Sequence, residues 1–264
     1  MKPKDLKGIA KDGLYGVNDG NGQKADINNS VFPLIKYYNQ SDAKLVGTGF
    51  FISNNGLFVT AKHVLMDVFD SKGKQKNPML LIQFQDGVYY KRPVLRCTSH
   101  NTADISVGVA APMKNNKTGK PLMNKMLTLT SKIGKLGSKV FTYAYPRTVI
   151  NNAEVKQLHF YADYYDGEIQ EYYLNGRDRV LMPGASFSTS MYVHGGASGG
   201  PVFNERGRVC GVNSTGFEND SLSFVTPVYT IENLLLLDVF TPNNSIGRVR
   251  VRELMDDNFI IYES

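Results

Sequence analysis

The chain is built from many short runs of apolar, β-branched and aromatic residues, and this pattern limits its possible folds more than any other feature. The runs at 31–35, 79–84 and 139–145 are typical, and Gly, Asn or Pro soon interrupts each of them. Short runs bounded by turn-forming residues indicate β-strands. Because many strands at such intervals close into barrels or sandwiches, the sequence predicts an all-β protein.

Length and apolar content allow a substantial core but no membrane span. The 264 residues could form two domains or one fused pair of barrels, and 42% of them are hydrophobic. No segment approaches the roughly 20 consecutive apolar residues of a membrane helix, so we expect no membrane association. Residues 1–7 lack the apolar stretch of a secretory signal, which predicts a cytoplasmic protein.

Neither a disulfide framework nor a metal site is indicated by the sequence. Cys97 and Cys210 are the only cysteines, and both lie in apolar-flanked runs, where a cysteine behaves as a small core residue. No His or Cys pair has the spacing of metal ligands. We therefore predict no metal and no other cofactor.

The positive charge raises the question of nucleic-acid binding. The formal net charge is +6 and the calculated pI is about 9.1. However, the basic residues are scattered, and those at 248–252 alternate as one exposed strand face would. No zinc-finger, RNA-binding or phosphate-loop motif accompanies them, so we predict no nucleic-acid partner. Salt-dependent binding to RNA or DNA stays open as an alternative hypothesis.

The segment GGASGGP at 195–201 places Ser198 among glycines, where a serine hydroxyl is exposed and nearby N–H groups can face an oxyanion. This segment also fits the nucleophile motif of α/β-hydrolases, but those enzymes need a histidine after the serine. The histidines are at positions 63, 100, 159 and 194, all before Ser198. An α/β-hydrolase is therefore excluded. The subtilisin order would need an aspartate from the polar start of the chain, which has no buried-strand pattern.

The remaining order is His, then Asp, then Ser. His63 follows two predicted strands, 47–52 and 57–61, which a turn at 53–56 joins. Asp104 precedes the apolar start of a further strand. His100 is a weaker rival for the role of base because it lacks the strand-hairpin context, and we interpret it as a loop residue.

Together these motifs resemble the trypsin/chymotrypsin clan of serine proteases, especially its bacterial HtrA/Deg-like branch, over about residues 30–240. The resemblance implies a chymotrypsin-like fold of two packed antiparallel β-barrels of the six-stranded type, followed by a C-terminal helix and a short extension. It places His63 and Asp104 in the first barrel and Ser198 in the second. The chain has no room for a PDZ domain, so we expect none.

The expected organisation has four parts. Residues 1–29 form an irregular N-terminal arm, 30–120 the N-terminal barrel, 121–240 the C-terminal barrel with its helix, and 241–264 a C-terminal extension. The predicted helix covers 230–240, with Thr230 as its N-cap.

The resemblance also implies the chemistry of a serine endopeptidase. His63 would accept the proton of Ser198, and Asp104 would hold the imidazole in the required tautomer. The N–H groups of Gly196 and Ser198 would form the oxyanion hole. Ser214 matches the serine that braces the aspartate in this clan.

Substrate recognition follows from the same resemblance. A protein or peptide substrate would bind as an extended strand beside Ser214. Tyr192 stands where trypsin carries an aspartate, which disfavours cleavage after Lys or Arg and favours small or medium uncharged side chains. Acidic specificity, with a contribution from His194 or Asn213, is the rival. The predicted substrate-binding residues are Tyr192, Val193, His194, Asn213, Ser214, Thr215, Gly216 and Ser223.

Two further interpretations stay open. Ala197 replaces the aspartate that pairs with the new N-terminus in animal relatives, so control would come from loop ordering, for example in the tyrosine-rich segment 159–187. That segment could dock a regulatory protein partner, although an extended hairpin with half-buried tyrosines is the favoured interpretation. The alternative to an enzyme is a catalytically silent module that binds peptides on the same fold.

Overall fold

The computed structural model describes residues 27–38, 43–66, 68–69, 75–85, 88–114, 119, 121–151, 157–216, 222–241 and 245–264. The predicted N-terminal arm, 1–29, lies outside the described residues except for a 3-10 turn at Ile27–Asn29. No helix of the described residues is long and apolar enough to cross a membrane. The all-β prediction is confirmed.

Six antiparallel strands form the first barrel, which closes in the order β1-β2-β3-β6-β5-β4. Their apolar runs place a cluster of phenylalanines inside, among them Phe32 and Phe51, whose ring centroids are 4.5 Å apart. A short helix, α1 (Lys62–Leu65), follows the third strand. The strands are β1 (Val31–Tyr37), β2 (Ala43–Phe51), β3 (Leu57–Thr60), β4 (Met79–Gln85), β5 (Val88–Ser99) and β6 (Ser106–Ala110).

The second barrel also has six antiparallel strands, in the order β11-β8-β9-β10-β13-β12, and the pairing of β11 with β12 closes it. Two short strands, β7 (Leu129–Thr130) and β16 (Tyr262–Glu263), extend this sheet in parallel from β12. The barrel strands are β8 (Lys139–Asn151), β9 (Gln157–Tyr173), β10 (Ser186–Thr189), β11 (Pro201–Asn204), β12 (Val209–Gly216) and β13 (Ser223–Pro227). The predicted pair of six-stranded barrels is therefore confirmed.

A long hairpin of β8 and β9 joins the two barrels. The ring of Phe84, on the first barrel, stacks on Tyr145 of β8 at 5.9 Å and meets Phe160 of β9 edge-on at 5.8 Å. Such aromatic contacts stabilise an interface beyond the apolar area that they bury. The segment predicted as an extended hairpin has this structure, and its tyrosines within β9 are half-buried.

The prediction of a helix over 230–240 is wrong. The chain makes a 3-10 turn at Val228–Ile231 and then forms β14 (Leu235–Phe240), which pairs with β15 (Ile246–Arg250). Leu236 and Val239 are buried, whereas Leu235 and Leu237 are more than 40% exposed. This alternation is typical of a strand with one buried face and one exposed face. The positive φ of Asp238 (49°) interrupts the alternation.

The C-terminal helix lies later than predicted, in the segment expected to be an extension. It is α2 (Val251–Asp256), and its residues Val251 and Leu254 are fully buried in the same cluster as the first-barrel core. The backbone N–H of Arg250 donates to Oε2 of Glu253 at 3.2 Å and satisfies one free donor at the start of the helix.

Both cysteines are free thiols at apolar positions, as the sequence predicts. Cys210 is buried in the core of the second barrel, and Cys97 packs against the core of the first. Burial raises the pKa of Cys97 to about 11 and that of Cys210 to about 12. Both thiols are therefore protonated at neutral pH, which makes them poor nucleophiles.

Arg92 is a buried cation that holds the first barrel together, and it is only 2% exposed. Its Nη1 donates to Gln83 Oε1 at 2.6 Å and to Asn124 Oδ1, and its Nε donates to the carbonyl of Ala111 at 2.9 Å. Burial lowers its pKa to about 10. The guanidinium thus connects β4 and β5 to the segment that leads into the second barrel.

We expect Arg92→Met to lower the free energy of unfolding by about 3 kcal/mol, because three buried acceptors would lose their donor. Urea denaturation followed by circular dichroism measures this change. The control is Arg96→Met, since Arg96 forms an exposed pair with Asp238 and such pairs contribute only about 0–1 kcal/mol. Equal effects of the two substitutions would contradict the structural role of Arg92.

Candidate active site

The three residues of the predicted triad come from three different connections. His63 is in α1, directly after β3. Asp104 lies between β5 and β6, and Ser198 lies between β10 and β11. The first barrel therefore supplies His63 and Asp104, and the second supplies Ser198, which is the division that the sequence predicts.

His63 and Asp104 form a closely matched pair. Nδ1 of His63 lies 2.8 Å from Oδ2 of Asp104, and the backbone N–H of His63 donates to Oδ1 at 3.0 Å. Both carboxylate oxygens are thus used by one residue, which fixes the ring orientation. A proton on Nδ1 leaves Nε2 with its lone pair, the state that a general base requires.

The environment of Asp104 keeps its carboxyl group ionised. Burial would raise its pKa, but the hydrogen bonds from His63, the charge of His63 and a hydrogen bond from Ser214 together outweigh burial. The pKa of Asp104 therefore lies below its ordinary value. A carboxylate in this state can hold the imidazole and stabilise its protonated form.

His100 supports the loop that carries Asp104. Its Nδ1 accepts the backbone N–H groups of Thr102 at 3.2 Å and Ala103 at 2.9 Å. Burial, and then the nearby charge of Lys62, lower the pKa of His100. An Nδ1 that accepts hydrogen bonds carries no proton, so the neutral ring of His100 holds the loop. His100 thus has a structural role in the loop and is not a rival for the role of base.

The loop around Ser198 consists of two tight turns. The N–H of Ala197 donates to the carbonyl of His194 at 3.2 Å, and the N–H of Gly200 donates to that of Ala197 at 3.0 Å. The third residue of each turn is a glycine with positive φ, +92° at Gly196 and +86° at Gly199. These values are in the region that favours glycine.

The N–H groups of Gly196 and Ser198 are among the backbone donors of this loop that have no acceptor in the described residues. The resemblance assigns these two groups to the oxyanion hole. Buried or half-buried N–H groups are normally paired, so such donors are suited to a ligand oxygen.

The hydroxyl of Ser198 donates to the carbonyl of Ser214 at 3.3 Å. In the described part of the chain it makes no hydrogen bond with His63. Rotation about the Cα–Cβ bond of Ser198 can move the hydroxyl to another staggered position. The structure therefore brings His63 and Asp104 into contact and leaves Ser198 bonded to the neighbouring strand.

Ser214 lies at the centre of a small network on β12. Its Oγ is 2.7 Å from Thr226 Oγ1, and it also hydrogen-bonds the Asp104 carboxylate. On one side β12 pairs with β13 as far as Gly216, whereas its pairing with β11 ends at Val212. On the side of β11, the part of β12 after Val212 therefore extends beyond its neighbouring strand, and an extended peptide could pair with it there.

The other predicted substrate-binding residues are not all gathered at one place. Tyr192 is 55% exposed, and its ring meets that of His194 edge-on at 5.2 Å. Ser223 is buried and donates to the carbonyl of Met191 at 2.6 Å. Asn213 turns away into the second barrel, where its Nδ2 donates to Thr142 Oγ1 at 2.7 Å. The remaining three are Val193, which packs against the second core, Thr215, which pairs with Phe224, and Gly216, which pairs with Ser223.

Two contributors to the site are missed by sequence reasoning. Tyr165 of β9 places its hydroxyl 3.1 Å from His194 Nδ1. Thr48 of β2 contacts the Ser198 loop by its backbone and its side chain. No local motif marks either residue, because their partners are distant in the sequence.

Comparison with known proteins identifies the family of the chain. The family described as trypsin-like peptidase domain matches residues 47–212. The Arabidopsis thaliana protein "Putative protease Do-like 14" is 24% identical over 200 residues, which cover 75% of this chain and 42% of that protein. The chain thus spans less than half the length of this relative.

Two solved structures resemble the chain. The crystal structure of Deg5 has a TM-score of 0.54 and 18% identity, and the match covers 77% of this chain and 86% of Deg5. An inactive serine-to-alanine mutant of Rv3671c from M. tuberculosis H37Rv has a TM-score of 0.49 and 19% identity, covering 77% and 83% of the two chains. The likeness to Deg5 supports the fold. The family match covers more than half of the residues of this chain. The chain therefore belongs to the trypsin-like peptidases, a family of serine proteases.

Proposed function

We propose that this protein is a serine endopeptidase that cuts protein substrates through His63, Asp104 and Ser198. The observation that carries the proposal is the pairing of His63 with both oxygens of Asp104, together with a glycine-rich loop in which the N–H groups of Gly196 and Ser198 have no acceptor among the described residues. A neutral Nε2 would take the Ser198 proton during attack and return it to the leaving amine. The N–H groups of Gly196 and Ser198 would stabilise the oxyanion. The name of the Do-like relative also favours proteolysis.

Labelling with a fluorophosphonate probe tests the proposal directly. Such a probe reacts with a serine only where a base activates it, so we expect one label on wild type and none on Ser198→Ala. Mass spectrometry of the labelled peptide identifies the residue. An unlabelled wild-type protein that still binds peptides would instead be a silent peptide-binding module.

We further propose that the substrate binds as an extended strand along β12, with an uncharged small or medium side chain before the scissile bond. The predicted pocket residues that lie outside the barrel interior are neutral or aromatic, and none is a carboxylate. A buried substrate cation would therefore lack a partner, at a cost of several kcal/mol. We expect a peptide library with no fixed position to show little cleavage after Lys or Arg. Strong cleavage there would overturn this specificity, and dominant cleavage after Glu would assign the role to His194.

A further inference from the structure

Thr48 is a fully buried polar residue in β2, at the point where the first barrel meets the Ser198 loop. Its backbone N–H donates to the carbonyl of Ser198 at 2.8 Å, and its Oγ1 donates to the carbonyl of Gly196 at 3.0 Å. One side chain and its own backbone thus hold two carbonyls of the loop. These carbonyls belong to the same two residues as the N–H groups of the proposed oxyanion hole, which have no acceptor in the described residues.

The hydroxyl of Thr48 is also an acceptor. The backbone N–H of Tyr145, in β8, donates to Oγ1 at 3.0 Å. The carbonyl of Thr48 in turn accepts the Oγ1 of Thr60 at 2.7 Å. The hydroxyl is therefore oriented from both sides, since accepting from Tyr145 leaves its single proton for Gly196.

The approach of β2 to the loop is too close for larger residues. A Cβ at Gly47 would lie 2.7 Å from the carbonyl oxygen of Ser198, and one at Gly199 would lie 2.2 Å from the carbonyl oxygen of Thr48. Real Cβ atoms essentially never come within 3.0 Å of another heavy atom, so both glycines are required by the contact. The close packing of β2 against the Ser198 loop therefore depends on these two glycines.

Gly196 is the flexible point of the loop. It has φ of +92° and no side chain to restrict rotation, so its flanking peptide groups can turn easily unless something holds them. The hydrogen bond from Thr48 Oγ1 holds the carbonyl on one side of this residue. The N–H on the other side is the donor that the proposed oxyanion hole needs.

We propose that the Thr48 hydroxyl is a positioning group for the oxyanion hole. By holding the Gly196 carbonyl, it fixes the backbone so that the N–H groups of Gly196 and Ser198 point to the same place. This inference rests on the proposed peptidase function. Thr48 does not touch the reacting atoms, so its effect on the reaction passes through Gly196.

The test compares Thr48→Val, which removes the hydroxyl at nearly constant shape, with Thr48→Ser, which keeps it. On a peptide substrate we expect Thr48→Val to lower kcat by about 10- to 100-fold with little change in KM, because a misaligned oxyanion donor weakens only the transition state. Thr48→Ser should stay within about threefold of wild type. Thr48→Ala replaces Thr48→Val if the valine variant does not fold.

The matched control is Thr130→Val. Thr130 is equally buried and its Oγ1 donates to the carbonyl of Glu263 at 2.7 Å, but on β7, among residues that do not contribute to the site. It should leave kcat within about twofold of wild type. Equal losses in Thr48→Val and Thr130→Val, or in Thr48→Val and Thr48→Ser, would overturn the proposal, as would a loss confined to KM.

A readout without catalysis separates this inference from the function on which it rests. In ¹⁵N-labelled Ser198→Ala protein, the amide resonance of Gly196 should shift or broaden when Thr48→Val is added, but not when Thr48→Ser is added. An unchanged resonance would contradict the role of Thr48, whatever the activity of wild type. Absence of fluorophosphonate labelling in wild type would instead contradict the peptidase function.

Discussion

Ser198→Ala and His63→Ala should each lower kcat on a protein substrate by about 10⁶-fold, while the folded structure is retained. The expectation follows from the proposed mechanism. A serine hydroxyl is a weak nucleophile without a base, and without the serine the base has no proton to accept. For the same reason, the double variant should be about as inactive as either single variant. Steady-state cleavage of a fluorogenic casein, together with thermal unfolding, measures both properties.

Ser245→Ala is the control for these losses. Ser245 is an exposed serine that contacts Thr241 next to β14 and β15, and its replacement should leave turnover unchanged. If Ser198→Ala kept most of the wild-type turnover, Ser198 would not be the nucleophile. Loss of activity in Ser245→Ala would point to a general defect of the preparations.

Asp104→Asn should lower kcat by about 10⁴-fold. The amide can donate to Nδ1 of His63, which favours the tautomer with the proton on Nε2 and removes the lone pair that accepts the serine proton. The change is nearly isosteric, so the loop held by His100 should keep its shape. Asp256→Asn, at the exposed end of α2, is the matched control and should keep full activity. A loss below tenfold in Asp104→Asn would contradict the tautomer role.

The same variant has a pH signature in its stability. Because the pKa of Asp104 is lowered in the folded protein, its carboxylate stabilises the fold fully above about pH 4. This contribution is lost as the pH falls through the lowered value. The difference in free energy of unfolding between wild type and Asp104→Asn should therefore be constant above about pH 5 and shrink as the pH falls from about 4 through the lowered pKa of Asp104. A difference that stays constant over this range would contradict the ionised state of Asp104.

The sequence predicts those parts of the molecule that depend on local patterns. Short runs of apolar residues indicate the strands, because a strand that is buried in a barrel needs apolar side chains. The glycines around Ser198 indicate a tight turn. His63 and Asp104 are predictable because each follows or precedes a recognisable strand. The structure places Nδ1 of His63 2.8 Å from Oδ2 of Asp104.

What sequence patterns miss depends on contacts between distant segments. Thr48 and Gly196 are 148 positions apart, and nothing near Thr48 shows that its hydroxyl has a partner in the second barrel. The leucine run before Asp238 fits a helix or a strand equally well, and pairing with β15 decides the outcome. Asn213 was expected at the substrate, but the strand alternation of β12 directs its side chain to Thr142.

The division of the site between the barrels has a consequence for synthesis of the chain. His63 and Asp104 lie in connections of the first barrel, which leaves the ribosome before Ser198 and β12, about a hundred residues ahead of them. The base can be assembled early, but it has no hydroxyl to activate and no strand beside which a substrate could lie. Under the proposed mechanism, proteolytic capacity therefore begins only when β2 meets the Ser198 loop. A nascent chain that has formed only its first barrel would be unable to cut other proteins.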